Sequence, residues 1–190
     1  FKGGVFVLLG LVFELGLSFF AKLLMARVLP KVEYGYVSVG VTVLNVAVAL
    51  SLLGVHSGVA RYLPRSDNPA YQRGVILSGL QIAIPTVVFV SLGVFFTADI
   101  LSTRVFNDPS AEPIIRIFAF SVPFFAAVKF VVGTIQGTKS TIPKVIIQNI
   151  AVPGSRFVFV FGALYFGLSS LGVSYAYISS YGLGAIVGIY

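Results

Sequence analysis

The sequence predicts an all-α, polytopic membrane protein of six transmembrane helices. Three observations carry that expectation. Of the 190 residues, 57% are hydrophobic and 10% are charged, with a mean hydropathy of +1.00. A soluble domain is about a quarter charged, and a globule of this size has too little interior to hide so much apolar surface. The apolar residues also fall into six runs, each close to the roughly 20 residues that a helix needs to cross a bilayer. Finally, runs such as Val5 to Leu9 and Pro85 to Val90 do not alternate apolar with polar residues. A membrane barrel would require that alternation, whereas a helix satisfies its own backbone groups in hydrocarbon.

The spans are expected at 4–26, 37–59, 75–96, 114–135, 145–166 and 171–189. They fill the chain as one transmembrane helical domain, with no soluble domain or long linker. Helix-breaking and turn-forming residues mark the connections. Leu29-Pro30-Lys31-Val32-Glu33-Tyr34-Gly35 follows the first span and Pro64-Arg65-Ser66-Asp67-Asn68-Pro69 the second. Asn107-Asp108-Pro109-Ser110 precedes the fourth, and Gly137-Thr138-Lys139-Ser140-Thr141 precedes the fifth. Connections this short make consecutive helices antiparallel neighbours. The chain starts at Phe1 and stops at Tyr190 within an apolar run, so a piece of a longer protein is expected. The opening apolar stretch is too long, and too charged at Glu14 and Lys22, for a signal-peptide core.

The net charge of +7 does not point to nucleic acid, because the 13 Lys and Arg are scattered singly with no basic stripe. With no Cys, one His and six acids, there is little material for a metal site, a bound cofactor or hydrolytic chemistry. Positive charge gathers in the cytoplasmic loops of membrane proteins. Six basic residues (Lys2, Arg61, Arg65, Arg73, Lys139, Lys144) fall on the side of the N-terminus, and three (Arg27, Lys31, Arg104) on the other. The N-terminus is therefore expected in the cytoplasm.

Glu14, Lys22, Arg116, Lys129 and Arg156 lie within the expected spans. Each such charge near a helix centre costs on the order of 2.5–3.5 kcal/mol to insert, which implies a polar interior or a hydrated cavity. Lys22 and Arg116 are near enough to span ends to reach the interface with their long stems. Glu14 and Arg156 fall at mid-span on different helices, so they are expected at one depth as a pair, with Lys129 adding charge to the same cavity. Asn45 and Gln81 are candidate cavity-lining residues, while Gln148 and Asn149 read as bonds between helices. His56 reads as a packing or interfacial residue. Pro85, Pro123 and Pro153 interrupt spans and are hinge candidates, static curvature being the plainer account.

Ala26-Arg27-Val28-Leu29-Pro30, then Glu33-Tyr34-Gly35, Leu53-Gly54-Val55, Arg61-Tyr62-Leu63-Pro64 and Ile135-Gln136-Gly137 form a recognisable series. Over these motifs the chain resembles polysaccharide-synthesis flippases, the O-antigen and oligosaccharide-lipid exporters of the multidrug/oligosaccharidyl-lipid/polysaccharide superfamily. The resemblance implies two lobes of helices facing across a cavity that opens alternately to each side, an internal repeat common in transporters. This chain would supply most of the N-terminal lobe. It also implies transport rather than catalysis, in the cell membrane. The cargo would be a polyprenyl-(pyro)phosphate-linked oligosaccharide moved to the outer leaflet, with membrane lipids and glycan-assembly proteins as partners. Arg156 and Lys129 would hold phosphate, and Glu14 would balance Arg156. An ion-coupled multidrug exporter or a peptidoglycan-precursor flippase would share this framework. A membrane-embedded polyprenyl-phosphate transferase would need clustered acids for Mg²⁺, and the cytoplasmic loops offer only Asp67.

Overall fold

The structure, a computed structural model, describes residues 2–138 and 141–189, with side chains over 7–138 and 142–188. Lys139 and the Lys2 side chain, both used in the charge tally, lie outside the described residues. Helices build most of the rest: α1 (Lys2–Val28), α2 (Lys31–Leu52), α3 (Val55–Tyr62), α4 (Pro69–Phe96), α5 (Ala98–Ile100), α6 (Glu112–Gly137), α7 (Thr141–Val145), α8 (Val152–Tyr165) and α9 (Ser170–Ile189). Among the described residues there is no strand. Five helical stretches are long and apolar enough to cross a membrane. The sixth expected span forms α9, which is not among those five and carries Ser170, Ser174, Tyr175, Tyr177, Ser179, Ser180 and Tyr181. Many large apolar side chains point outward, among them Leu15 at 61% and Phe89 at 79% exposure. Apolar surface of that extent is buried only by lipid or by other protein.

Several connections are shorter than the sequence suggests. The expected loop 29–35 shrinks to Leu29 and Pro30. Pro30 cannot continue α1, because its ring removes the backbone donor and forces an extended turn (φ −54°, ψ 147°). Lys31 can then open α2 at once. Similarly, Asn68 caps α4 by accepting a 2.9 Å hydrogen bond from the Ala70 N–H, which starts that helix at Pro69 rather than 75. The expected span 37–59 is interrupted at Leu53 and Gly54, both left-handed (φ 46° and 79°). Glycine adopts that conformation without penalty, and the interruption re-aims α3 against α4 and α6. The fifth span is α7, a π-helical segment at Ile146–Ala151 and α8. Pro153 sits in the first turn of α8, directly after the π segment, where it removes one backbone donor from the fifth span. Pro85 and Pro123 lie inside α4 and α6.

The core is organised by α6, which packs against α2, α3, α4 and α9. Its Phe118 is fully buried and packs on Gly40 of α2, where a Cβ would collide with the ring. Gly137 faces Leu63 closely enough that a Cβ would lie 2.7 Å from the leucine side chain. Two motifs far apart in sequence, at 61–64 and 135–137, thus meet through a glycine contact. Polar side chains tie helices at depth: Thr86 donates to the Ser51 carbonyl (2.7 Å) and Ser91 to the Ala119 carbonyl (2.8 Å). In lipid, such bonds supplement packing between helices.

The end of the bundle that carries the α1–α2 turn is closed by two carboxylates. Glu33 accepts a 2.7 Å hydrogen bond from the Ser170 N–H, capping α9 from a residue 137 positions away. A negative charge at a helix N-terminus is favourable, so the Glu33-Tyr34-Gly35 motif has a structural use. Asp108 accepts from the Ser110 N–H (2.9 Å) and from the Tyr36 hydroxyl (2.9 Å). These bonds, the backbone one foremost, hold its carboxyl below the ordinary value. The stabilisation they give is present above the unfolded carboxyl pKa and is lost as pH falls through the folded one.

Candidate functional site: an intramembrane cavity with a cationic wall

Five α-helices around the concave face each contribute residues four apart, and the π segment before α8 adds one more. From α1 come Glu14, Ser18 and Lys22, and from α2 come Val41 and Asn45. Phe125 and Lys129 project from α6, Gln148 from the π segment, Val152 and Arg156 from α8, and Tyr177 and Tyr181 from α9. Residues at i, i+4 and i+8 share a helix face, so every element turns one narrow face inward. Together with Val128, Val132 and Pro153 they enclose a cavity of about 280 Å³.

The charged side chains are placed differently from the expected pair. Among the described residues the one ion pair within 4 Å is Arg116 with Glu112 (2.6 Å), at the start of α6. Glu14 accepts instead a 2.7 Å hydrogen bond from the Asn149 side-chain amide. Asn149 is buried in the π segment, so this bond joins α1 to the least regular part of the fifth span. The guanidinium of Arg156 lies over the faces of Tyr177 and Tyr181, 4.9 and 5.0 Å from the ring centroids. A desolvated cation over an aromatic face gains about 2 kcal/mol. The direct Glu14–Arg156 pair is therefore corrected: both line one cavity, but each has its own partner. The physical reason is that uncharged neighbours, an amide for Glu14 and two aromatic rings for Arg156, serve the two charges without bringing them together.

An aromatic wall positions the cations. Phe125 stacks on Tyr181 with centroids 4.3 Å apart, and Tyr177 is 6.4 Å from Tyr181. Lys129 Nζ lies 5.4 Å from the Phe125 centroid. The Arg156 Nε is buried with no hydrogen-bond partner, so the guanidinium retains donor capacity that the protein leaves unused. Lys22, which could have reached for the interface, instead lines the same cavity. Asn45 lines it too, although its amide donates to the Val41 carbonyl of its own helix (2.8 Å).

Gln81 is corrected as well. It is exposed on α4, which contributes nothing to the cavity, because the face of α4 that packs inward carries Gly79, Ala83 and Val87. Of the hinge candidates, Pro153 is buried at the cavity and Pro85 and Pro123 are exposed away from it. His56 packs with its backbone against Gly133. Sequence reasoning missed Ser18, Lys22, Gln148, Tyr177 and Tyr181 as lining residues and Asn149 as the partner of Glu14. The four-residue spacing from Glu14 to Ser18 to Lys22 was a signal that could have placed Lys22 inside.

The arrangement can bind an anion: three cations and one carboxylate border a cavity among membrane-spanning helices. A family model described as "Polysaccharide biosynthesis protein" matches residues 1–190. No curated protein and no solved structure matches the chain. With the match running the full length of an all-helical, multi-pass membrane bundle, the chain belongs to the polysaccharide biosynthesis protein family.

Proposed function

We propose that this protein is a flippase that moves a polyprenyl-(pyro)phosphate-linked oligosaccharide from the cytoplasmic to the outer leaflet, and that it transports its cargo without chemically altering it. The observation that supports this reading is the cavity wall: Arg156 with an unpartnered buried Nε, and Lys129 and Lys22 on the same space. The barrier to be lowered is the transfer of a phosphate and sugars through hydrocarbon, where an ion is poorly solvated. A cationic, hydrated cavity replaces that solvation, while the polyprenyl tail stays in lipid. Arg156 is suited to phosphate because its planar fork offers several donors. The chain then contributes the N-terminal lobe of a two-lobed, alternating-access carrier in the cell membrane. Pro153 beside the π segment is the place where the fifth span can bend, since interrupted helical bonding at both features is adjustable.

Orientation in this reading follows the positive charge, with the N-terminus in the cytoplasm. Single cysteines in place of Ser66 and Thr138 are expected to react with an impermeant maleimide only from the cytoplasm, and one in place of Ser110 only from outside. Labelling of Ser66 and Ser110 positions from one face would refute the topology.

Glu14 separates this reading from an ion-coupled drug exporter. It is the sole carboxylate lining the cavity among the described residues, and its bond from Asn149 favours a defined role. Glu14→Gln removes the charge and still offers an amide oxygen to Asn149. In a phosphate carrier, binding of the lipid-linked cargo stays at the wild-type level or tightens, because a competing negative charge has gone. In a cation-coupled exporter transport is abolished. Cargo binding and flipping by the full-length protein in proteoliposomes distinguish the two.

A further inference from the structure

The cavity has two chemically different parts. Arg156 lies over Tyr177 and Tyr181, Lys129 lies over Phe125, and Phe125 stacks on Tyr181, so these two cations gather around one aromatic stack. The part formed by α1, α2 and the π segment instead carries Ser18, Asn45 and Gln148, beside Glu14 and Lys22. The parts also differ in depth. α2, α6 and α9 start at the end of the bundle that carries the α1–α2 turn, where the Glu33–Ser170 and Tyr36–Asp108 bonds join them, and α1 and α8 finish there. At the helical rise Arg156 lies about 14 Å from that end, and Asn45 and Gln148 roughly 21–25 Å from it. Lys129 starts as deep as Gln148, but its side chain runs back towards the same end, over Phe125 one turn away.

Hydrogen-bonding capacity in the deeper part is unused. Asn45 donates through its amide to the Val41 carbonyl, which leaves its Oδ1 able to accept. Among the described residues the side chains of Gln148 and Ser18 make no hydrogen bond. By contrast, Ser38, Thr42, Thr134 and Ser179 each donate to the carbonyl four positions earlier in their own helix. Polar groups within a membrane ordinarily find such partners or bond between helices. Here they face the cavity, where a ligand can use them. An amide offers both donors and an acceptor, and so does a hydroxyl, so the two pair in either direction.

We propose that Asn45 and Gln148, with Ser18 beside them, bind the sugar next to the phosphate and select which sugar the carrier accepts. The inference rests on the phosphate-carrier reading. Cargo entering from the cytoplasm has its tail in lipid and its glycan trailing behind, so the sugar lies on the cytoplasmic side of the phosphate. The cavity has the same order, with Arg156 nearer the outer end and the two amides nearer the cytoplasmic end. Neutral amides add no attraction for charge, so they discriminate by where the hydroxyls stand. A site built to hydrogen-bond a hydroxyl rejects an analogue that lacks it, because its own groups are then left unpaired.

The test measures binding of polyprenyl diphosphate diesters of one chain length by the full-length protein in detergent. The probes carry glucose, galactose, N-acetylglucosamine or N-acetylgalactosamine, and a methyl ester supplies the same charge without a sugar. The wild type is expected to bind at least one sugar lipid about 10-fold more tightly than the methyl ester, the gain from one or two neutral hydrogen bonds. Asn45→Ala/Gln148→Ala is expected to bind every probe as the wild type binds the methyl ester. Its retained methyl ester binding shows that the fold and the phosphate contacts are intact. Arg156→Ala is expected to weaken all the probes by a common factor. A wild type that binds no sugar lipid better than the methyl ester, or a double variant that keeps the preference, overturns the proposal and leaves the carrier reading standing. A double variant that also loses the methyl ester overturns it too, since the amides then serve the phosphate or the fold. Methyl ester binding unchanged by Arg156→Ala removes the phosphate reading itself, and this inference with it.

Discussion

Arg156→Ala is expected to reduce translocation by the full-length protein by about 10- to 100-fold, the loss that follows when hydrogen bonds to a charged group worth about 1.5–3 kcal/mol disappear. Arg156→Lys is expected to retain part of the activity, because a positive charge remains while the planar set of donors is lost. The geometry sharpens both expectations. Arg156 is not paired with Glu14, which has Asn149 as its partner. Removing the guanidinium leaves Glu14 its hydrogen bond from Asn149, so transport is compared at equal amounts of inserted protein. Had the two charges formed a buried pair, removing one would have cost about 3–5 kcal/mol and confounded the result. Tyr177→Phe and Tyr181→Phe serve as controls, since each keeps the aromatic face under the guanidinium and removes only a hydroxyl. Transport is measured as flipping of labelled lipid-linked oligosaccharide in proteoliposomes. An Arg156→Ala protein that inserts normally and flips at the wild-type rate would end the proposal for this residue.

How much of this was legible beforehand depends on what each feature requires. The spans were legible because the bilayer demands long apolar runs, and composition alone supplies them. Their ends were less so. Pro30 read as part of a seven-residue loop, yet one proline suffices to turn the chain when Lys31 can restart a helix immediately. The interruption at Leu53 and Gly54 divides an apolar run that hydropathy treats as continuous. Cavity residues were legible where charge made them expensive, as for Glu14, Lys129 and Arg156. They were not legible where the side chain is cheap in a membrane: Tyr177 and Tyr181 look like ordinary interfacial aromatics until α9 is placed against α8. The partner of each charge depends on rotation of one helix against another, which sequence periodicity on a single helix does not specify. Gln81 illustrates the converse, a polar residue at a plausible depth on a helix whose inward face is elsewhere.

A glycine packed directly against main chain gives the second large effect, this time on stability. Gly133 of α6 faces the backbone of α3, and a Cβ placed there would lie 2.5 Å from the His56 carbonyl oxygen and 3.0 Å from its carbon. The obstacle is main chain just beyond the left-handed Leu53-Gly54 break, so no flexible side chain can swing aside. Gly133→Ala is expected to cost about 1–3 kcal/mol, the range for overpacking a well-packed contact, and Gly133→Leu more, with loss of folded protein. Gly93 in α4 is the opposite case. A Cβ there meets nothing within 4 Å, and alanine in a helix interior is favoured over glycine by roughly 0.5–1 kcal/mol. Gly93→Ala is therefore expected to be neutral or stabilising. Thermal unfolding of the purified variants in detergent, followed by size-exclusion chromatography of the soluble fraction, compares the two directly. Equal melting temperatures for Gly133→Ala and Gly93→Ala would show that α3 does not press on α6 as closely as the packing requires.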